Sequence, residues 1–194
     1  MDNDFVTVVT GLPRSGTSMM MRMLESGGMP VLIDHIRTAD EDNPRGYYEF
    51  ERVKQIETDQ AWLADAGGKA VKMVAALLKH LPTNYRYKII FMQRNIDEVL
   101  TSQRQMLLRR GEPADELGDG KMAGMFAKHV EKIQAWLSQQ HNMQVLYVKY
   151  GEVIEHPAAE ARRINEFLGD LLDVACMAQA VEGQLYRQRH AAGQ

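Results

Sequence analysis

FVTVVTGLPRSGTSMMMRML, residues 5–24, reads as a strand, a glycine-bounded loop and a helix in immediate succession. Residues 5–10 form a β-branched apolar run, the pattern of a strand buried on both faces of a parallel sheet. The loop Gly11, Leu12, Pro13, Arg14, Ser15, Gly16, Thr17, Ser18 has the spacing of a phosphate-binding P-loop, with Thr17 standing where the Walker lysine is expected. A helix is expected from about residue 17 to 26, ended by Gly27 and Gly28. Its Met19, Met20, Met21 and Met23 read as packing residues, because methionine fills irregular gaps.

A Gly-x4-Gly loop opening a helix points several backbone N–H groups into one concavity, and the helix N-terminus adds partial positive charge. Together they hold a phosphate or sulfate without any side chain. The Walker lysine reaches the β- and γ-phosphates of a triphosphate, which Thr17 cannot do. No apolar strand ends in a clear Walker-B aspartate to support magnesium. Arg14 instead supplies a charge from inside the loop, and arginine contacts to an oxyanion are strong and directional.

Bulk properties fit a single soluble domain over residues 1–194. The net charge of −3, with 25% charged and 45% hydrophobic residues, makes no electrostatic case for nucleic acid. No apolar run reaches membrane-spanning length. The acidic start MDNDF lacks the basic region of a secretory signal, and with the single Cys176 it points to a cytoplasmic address. One cysteine excludes an internal disulfide and a cysteine-cluster metal site, and no metal is expected.

Strands are expected at 29–33, 69–74, 87–94 and 144–150. Helices are expected at 51–66, 97–110, 121–140, 157–168 and 171–187, with a brief helical piece in LLKHLP. Residues 35–50 read as a polar loop, 111–120 as a linker or lid, and 188–194 as a loose tail. Strands alternating with helices imply an α/β three-layer sandwich on a mostly parallel sheet, whose ligands bind beyond the carboxyl ends of the strands. The informative loops therefore follow residues 10, 72, 93 and 150.

A second anion site is expected from IIFMQRNIDEVLTSQRQ. Arg94 ends a strand and Ser102 falls about a turn and a half into the next helix. Arginine plus hydroxyl is a common way to hold a phosphate. The alternative places Arg94 against a surface carboxylate and Ser102 in solvent.

These segments resemble the sulfotransferase family. GLPRSGTS is similar to its 5′-phosphosulfate loop, and RNIDEVLTS to its 3′-phosphate motif. NPRGYYEFERV resembles a segment between them in bacterial members, and VLYVKYGEVIEHPAAEARRINEFLG resembles their late strand, turn and helix. The matches occur in family order from Phe5 to Gly169. The resemblance implies a P-loop NTPase-like fold and 3′-phosphoadenylyl sulfate (PAPS) as sulfuryl donor. It assigns Arg14, Ser15, Gly16, Thr17 and Ser18 to the phosphosulfate, and Arg94 and Ser102 to the 3′-phosphate. The reaction implied is in-line transfer to a hydroxyl or amine on a small molecule, a carbohydrate or a lipid.

Arg14, the loop amides and Lys72 are the candidates for handling charge. VKMVAALLKHLP resembles the segment that carries a lysine and a catalytic histidine in cytosolic members, but Val74 stands at the histidine position and His80 lies six residues on. A carboxylate base fits better. Glu49, flanked by Tyr47, Tyr48 and Phe50, leads the candidates, with Asp42, Glu41 and His35 as alternatives. The Arg-Lys-Gly that cytosolic members carry near the C-terminus is replaced by YRQRH, where Arg187 or Arg189 are the substitutes. The short chain leaves its acceptor site open, small or completed by a partner subunit. Two other readings remain from the residues: a P-loop small-molecule kinase, and a nucleotide-binding module without catalysis.

Overall fold

The computed structural model describes residues 5–34, 36, 46–109, 111 and 119–181. The opening stretch forms β1 (Phe5–Gly11) and α1 (Thr17–Ser26). β1 pairs in parallel with β2 (Ala70–Lys72) on one side and β3 (Arg86–Gln93) on the other. β3 pairs with β4 (Met143–Lys149), giving the order β2-β1-β3-β4 with every pair parallel. Helices cover both faces of this sheet, the three-layer α/β arrangement.

Burial explains why these strands read as continuous apolar runs. Val6, Val8, Tyr87, Ile89 and Phe91 face one core, lined by the short helices before β2 and β3 and by α3 (Asp119–Leu137). Val9, Ile90 and Met92 face the other, against α1, α4 (Tyr150–Glu155), α5 (Pro157–Leu168) and α6 (Val174–Gln179). Met20, Met21 and Met23 of α1 are fully buried there, so the methionine run is packing. The register pairs Val9 with Lys72, Gly11 with Met92, and Gln93 with Lys149. The carboxyl ends of all four strands therefore emerge on one edge, where the strand order switches from one side of β1, at β2, to the other, at β3.

Four expectations are corrected. Residues 29–33 are not a strand: only Val31 bridges Ala70. Pro30 lacks an N–H, and four residues later the Asp34 N–H donates to Glu49 O at 3.2 Å, which turns the chain away from the sheet. Residues 51–66 form two 3-10 turns, Glu51–Gln55 and Ala61–Asp65, in place of one helix. Asp59 interrupts them by pairing with Arg52 at 2.7 Å and accepting from the Ala61 N–H. The last helix is shorter than 171–187 within the described residues: α6 starts only at Val174, where Asp173 accepts from the Cys176 N–H. The strand expected to reach residue 150 stops at Lys149, and Tyr150 begins α4.

Candidate functional site

α2 (Ile96–Arg109) follows β3, so the loop after β1, the end of β2 and the start of α2 share the carboxyl edge of the sheet. Gly11-Ser18 forms the expected loop. Ser15 Oγ donates to Leu12 O at 2.7 Å and the Ser15 N–H to the same carbonyl at 3.2 Å, which closes the turn. Arg14 and Gly16 both have positive φ, 67° and 94°. Such alternation turns successive N–H groups inward and makes an anion-binding nest. Gly16 is the N-cap of α1 and no side chain caps that helix, so its first-turn N–H groups face the same concavity.

Glycine at 16 is required twice over. A Cβ there would lie 2.3 Å from Tyr150 Cδ2, and the left-handed backbone disfavours any side chain. Gly16→Ala is expected to destabilise the fold by about 2–3 kcal/mol, from overpacking plus backbone strain. A denaturant midpoint unchanged from the parent's would show that Tyr150 does not press on this loop.

Arg14 Nε donates to Ser102 Oγ at 3.0 Å, and Ser102 is 7% exposed. Arg94 reaches into the same cluster. Its Nε donates to Glu98 Oε2 at 2.9 Å, its Nη1 to Arg14 O at 3.0 Å, and its guanidinium lies 4.5 Å from the Tyr150 ring centroid. The Arg94 and Glu98 side chains are 9% and 7% exposed. Arg94 thus meets a buried carboxylate, and Ser102 sits in the protein interior. Arg14 joins the loop and the Arg94–Ser102 pair into one continuous cluster.

Lys72, at the end of β2, donates to Tyr47 O; it stands 3.4 Å from Ser18 Oγ and 3.9 Å from Glu49 Oε1. Ser18 Oγ donates to Tyr47 O at 3.2 Å. Residues 47–49 therefore lie over the first turn of α1. Glu49 also lies 3.9 Å from Lys54 Nζ, and its side chain is 20% exposed. Two anchors fix this segment. Asp34 accepts from the Glu51 and Ile36 N–H groups. Burial works against its charge, but those bonds outweigh it and hold the carboxyl below its usual range. Tyr48 has φ 52° and its hydroxyl donates to Glu25 Oε2 at 2.6 Å. Burial, and then the Glu25 carboxylate, push the Tyr48 hydroxyl well above its ordinary pKa.

Thr17 is the first residue of α1. Tyr47 is buried, Tyr48 and Phe50 are half-buried, and Phe50 packs edge-on against Trp62. Val74 is 51% exposed. His80 ends a 3-10 turn, with Nδ1 4.0 Å from Glu57 Oε1. Asp42, Glu41, His35, Arg187 and Arg189 lie outside the described residues, as do 112–118 of the linker and the tail. Among the described residues, no three His, Cys, Asp or Glu come together as a metal site, and no helix is long and apolar enough to cross a membrane. The sequence reading missed Glu98, Tyr150, Asp34 and Glu25. Glu98 alone carried a readable signal, its i+4 spacing from Arg94.

A family model described as Sulfotransferase domain matches residues 4–184. No curated protein matches the chain. Among solved structures, mouse sulfotransferase SULT7A1 complexed with PAP is similar at 18% identity and TM-score 0.57, over 100% of this chain and 69% of that one. A sulfotransferase domain from the curacin biosynthetic pathway gives 15% identity and TM-score 0.54, over 93% and 79%. A sulfotransferase from Alicyclobacillus acidocaldarius gives 15% identity and TM-score 0.52, over 93% and 87%. At these identities the likeness is one of fold.

Proposed function

The chain belongs to the sulfotransferase domain family, and on that footing we propose that it moves a sulfuryl group from 3′-phosphoadenylyl sulfate to a hydroxyl or amine of a small-molecule, carbohydrate or lipid acceptor. One observation carries this reading: Lys72 and Glu49 stand 3.9 Å apart beside Ser18, at the helix terminus where the anion loop opens. A cation and a carboxylate are thereby placed beside an oxyanion cradle. The solved neighbour complexed with PAP supports the donor class.

The loop N–H groups, with Ser15, Gly16, Thr17 and Ser18, hold the 5′-phosphosulfate, and the positive end of α1 favours its charge. The Arg94–Ser102 cluster faces the 3′-phosphate, and Arg14 links the two ends. In the transfer, the acceptor oxygen or nitrogen forms a bond to sulfur as the bridging S–O bond breaks. The bond's electron pair goes to the 5′-phosphate oxygen, where Lys72 and the loop amides offset the charge that develops. Glu49 takes the acceptor proton. Tyr47, Tyr48 and Phe50 flank Glu49 and form the apolar side of the acceptor site. Thr17 in place of lysine fits a donor with no γ-phosphate to reach.

The test is a thermal shift. Adenosine 3′,5′-bisphosphate at a hundredfold excess over its Kd is expected to stabilise the protein by about 2.7 kcal/mol, a rise of several degrees in Tm. ATP with magnesium is expected to leave Tm unchanged. Stabilisation by ATP–magnesium alone points to the kinase reading and ends this one. Stabilisation by the bisphosphate without donor turnover on any acceptor class points to a binding module.

A further inference from the structure

We infer that Asp34 is the positioning residue for Glu49, and that the edge of β2 sets the place of the proposed base and of Lys72 together. The inference rests on the donor and base reading above and deepens it. It says what holds a carboxylate on an irregular segment against a lysine on a strand.

Residues 46–50 have no helix or strand of their own. Asp34 fixes the main chain there from two points. The Asp34 N–H donates to Glu49 O at 3.2 Å, and the Glu51 N–H donates to Asp34 Oδ2 at 2.5 Å. Together these bonds close a ring through residues 49–51. Asp34 Oδ1 accepts from the Ile36 N–H at 3.1 Å, the bond of an Asx turn, which fixes the carboxylate itself. Both carboxylate oxygens thus meet main-chain donors, and bonds from N–H groups to an ionised carboxylate are among the strong ones. Asp34 therefore acts on the reaction through Glu49 and not by touching the reacting atoms.

Asp34 is in turn registered on the sheet. The Ala70 N–H donates to Pro30 O at 2.9 Å and the Leu32 N–H to Ala70 O at 2.8 Å, so residues 30–32 lie along β2. Lys72 stands two residues beyond Ala70, and Asp34 two residues beyond Leu32. One strand carries the lysine directly and, through Asp34, the main chain of the carboxylate. This common reference accounts for Lys72 Nζ and Glu49 Oε1 meeting at 3.9 Å from separate parts of the chain.

Steady-state kinetics on the full chain tests this, with release of adenosine 3′,5′-bisphosphate from 3′-phosphoadenylyl sulfate as the readout. A phenol, a long-chain alcohol and a simple glycoside serve as acceptors. Asp34→Ala removes both carboxylate bonds. Glu51→Pro removes one of them from the other side and leaves Asp34 in place. Phe50 is extended, as the residue before a proline must be, and position 51 opens a 3-10 turn, where proline is tolerated. Both variants are expected to lower kcat by about 10- to 100-fold, the effect of a small misplacement of a reacting group. Calorimetric affinity for the bisphosphate is expected to stay within about twofold of the parent's, a split that general loosening of the fold would not give. Added to Glu49→Gln, either variant is expected to cost little more, because both act through one carboxylate. Glu51→Ala, which keeps the N–H, is expected to turn over like the parent.

Parent-like kcat in Asp34→Ala or Glu51→Pro overturns the inference. So does a full additional loss on top of Glu49→Gln, an equal loss of bisphosphate affinity, or a loss in Glu51→Ala as large as in Glu51→Pro. Parent-like turnover in Glu49→Gln ends the base assignment, and the inference with it, while the donor reading stands. A parent protein that binds the bisphosphate but turns over no acceptor sinks the proposed transfer and the inference together.

Discussion

Glutamine at position 49 is expected to lower turnover with 3′-phosphoadenylyl sulfate by about 10²- to 10⁴-fold, the range for losing a positioned general base. The side chain keeps its shape and its hydrogen-bonding length, so the acceptor site should retain its form. What disappears is the ability to take a proton. Glu49, the proposed base, is held in place by its surroundings. Its carboxylate lies 3.9 Å from Lys72 and 3.9 Å from Lys54, and its own carbonyl is held by the Asp34 N–H. Lys72 is meanwhile held on the Tyr47 carbonyl, two residues before Glu49 in the same strapped segment. The proposed base and the proposed charge-stabiliser are thus fixed by one piece of chain. Loss confined to kcat, with affinity for adenosine 3′,5′-bisphosphate unchanged, identifies a group that acts in the transition state. Turnover equal to the parent's removes Glu49 from the mechanism and passes the role to Asp42, Glu41 or His35.

The four strands of the sheet, the loop and the helix register of α1, α2 and α5 were legible because each carries a strong local signal. β1 and β3 are apolar over nearly their whole length, since both faces of a parallel sheet are covered. Pro157 and Gly169 bracket α5 at the positions where those residues belong. Residues 51–66 were misread because their apolar spacing suits a helix, while Asp59 diverts the backbone through side-chain bonds that spacing does not register. The site was legible in its parts and not in its wiring. Spacing could put Arg94 and Ser102 on one edge of the sheet. It could not show that Arg94 turns onto Glu98 and that Ser102 meets Arg14, because the Arg14–Ser102 contact spans 88 positions of sequence. The anchors Asp34–Glu51 and Glu25–Tyr48 escaped for the same reason: their partners stand 17 and 23 positions apart.

Alanine at position 94 is expected to destabilise the fold by about 3–5 kcal/mol, which makes it a poor probe of donor binding on its own. Removing one member of a buried ion pair leaves the other charged and unpaired in the interior. Here the survivor is Glu98, 7% exposed in the first turn of α2, where the helix dipole offsets only part of the cost. The Arg14 carbonyl loses its Nη1 donor at the same time, and the loop loses an anchor. Replacing both partners, Arg94→Met with Glu98→Leu, removes the stranded charge and should recover most of the stability, since apolar pairs of similar volume substitute well for buried ion pairs. Urea unfolding of the two variants separates the effects. A single Arg94→Ala variant within about 0.5 kcal/mol of the parent would mean that water reaches the pair and screens it, as at an exposed site. Recovery in the double variant would instead establish that the pair's main cost lies in its being broken.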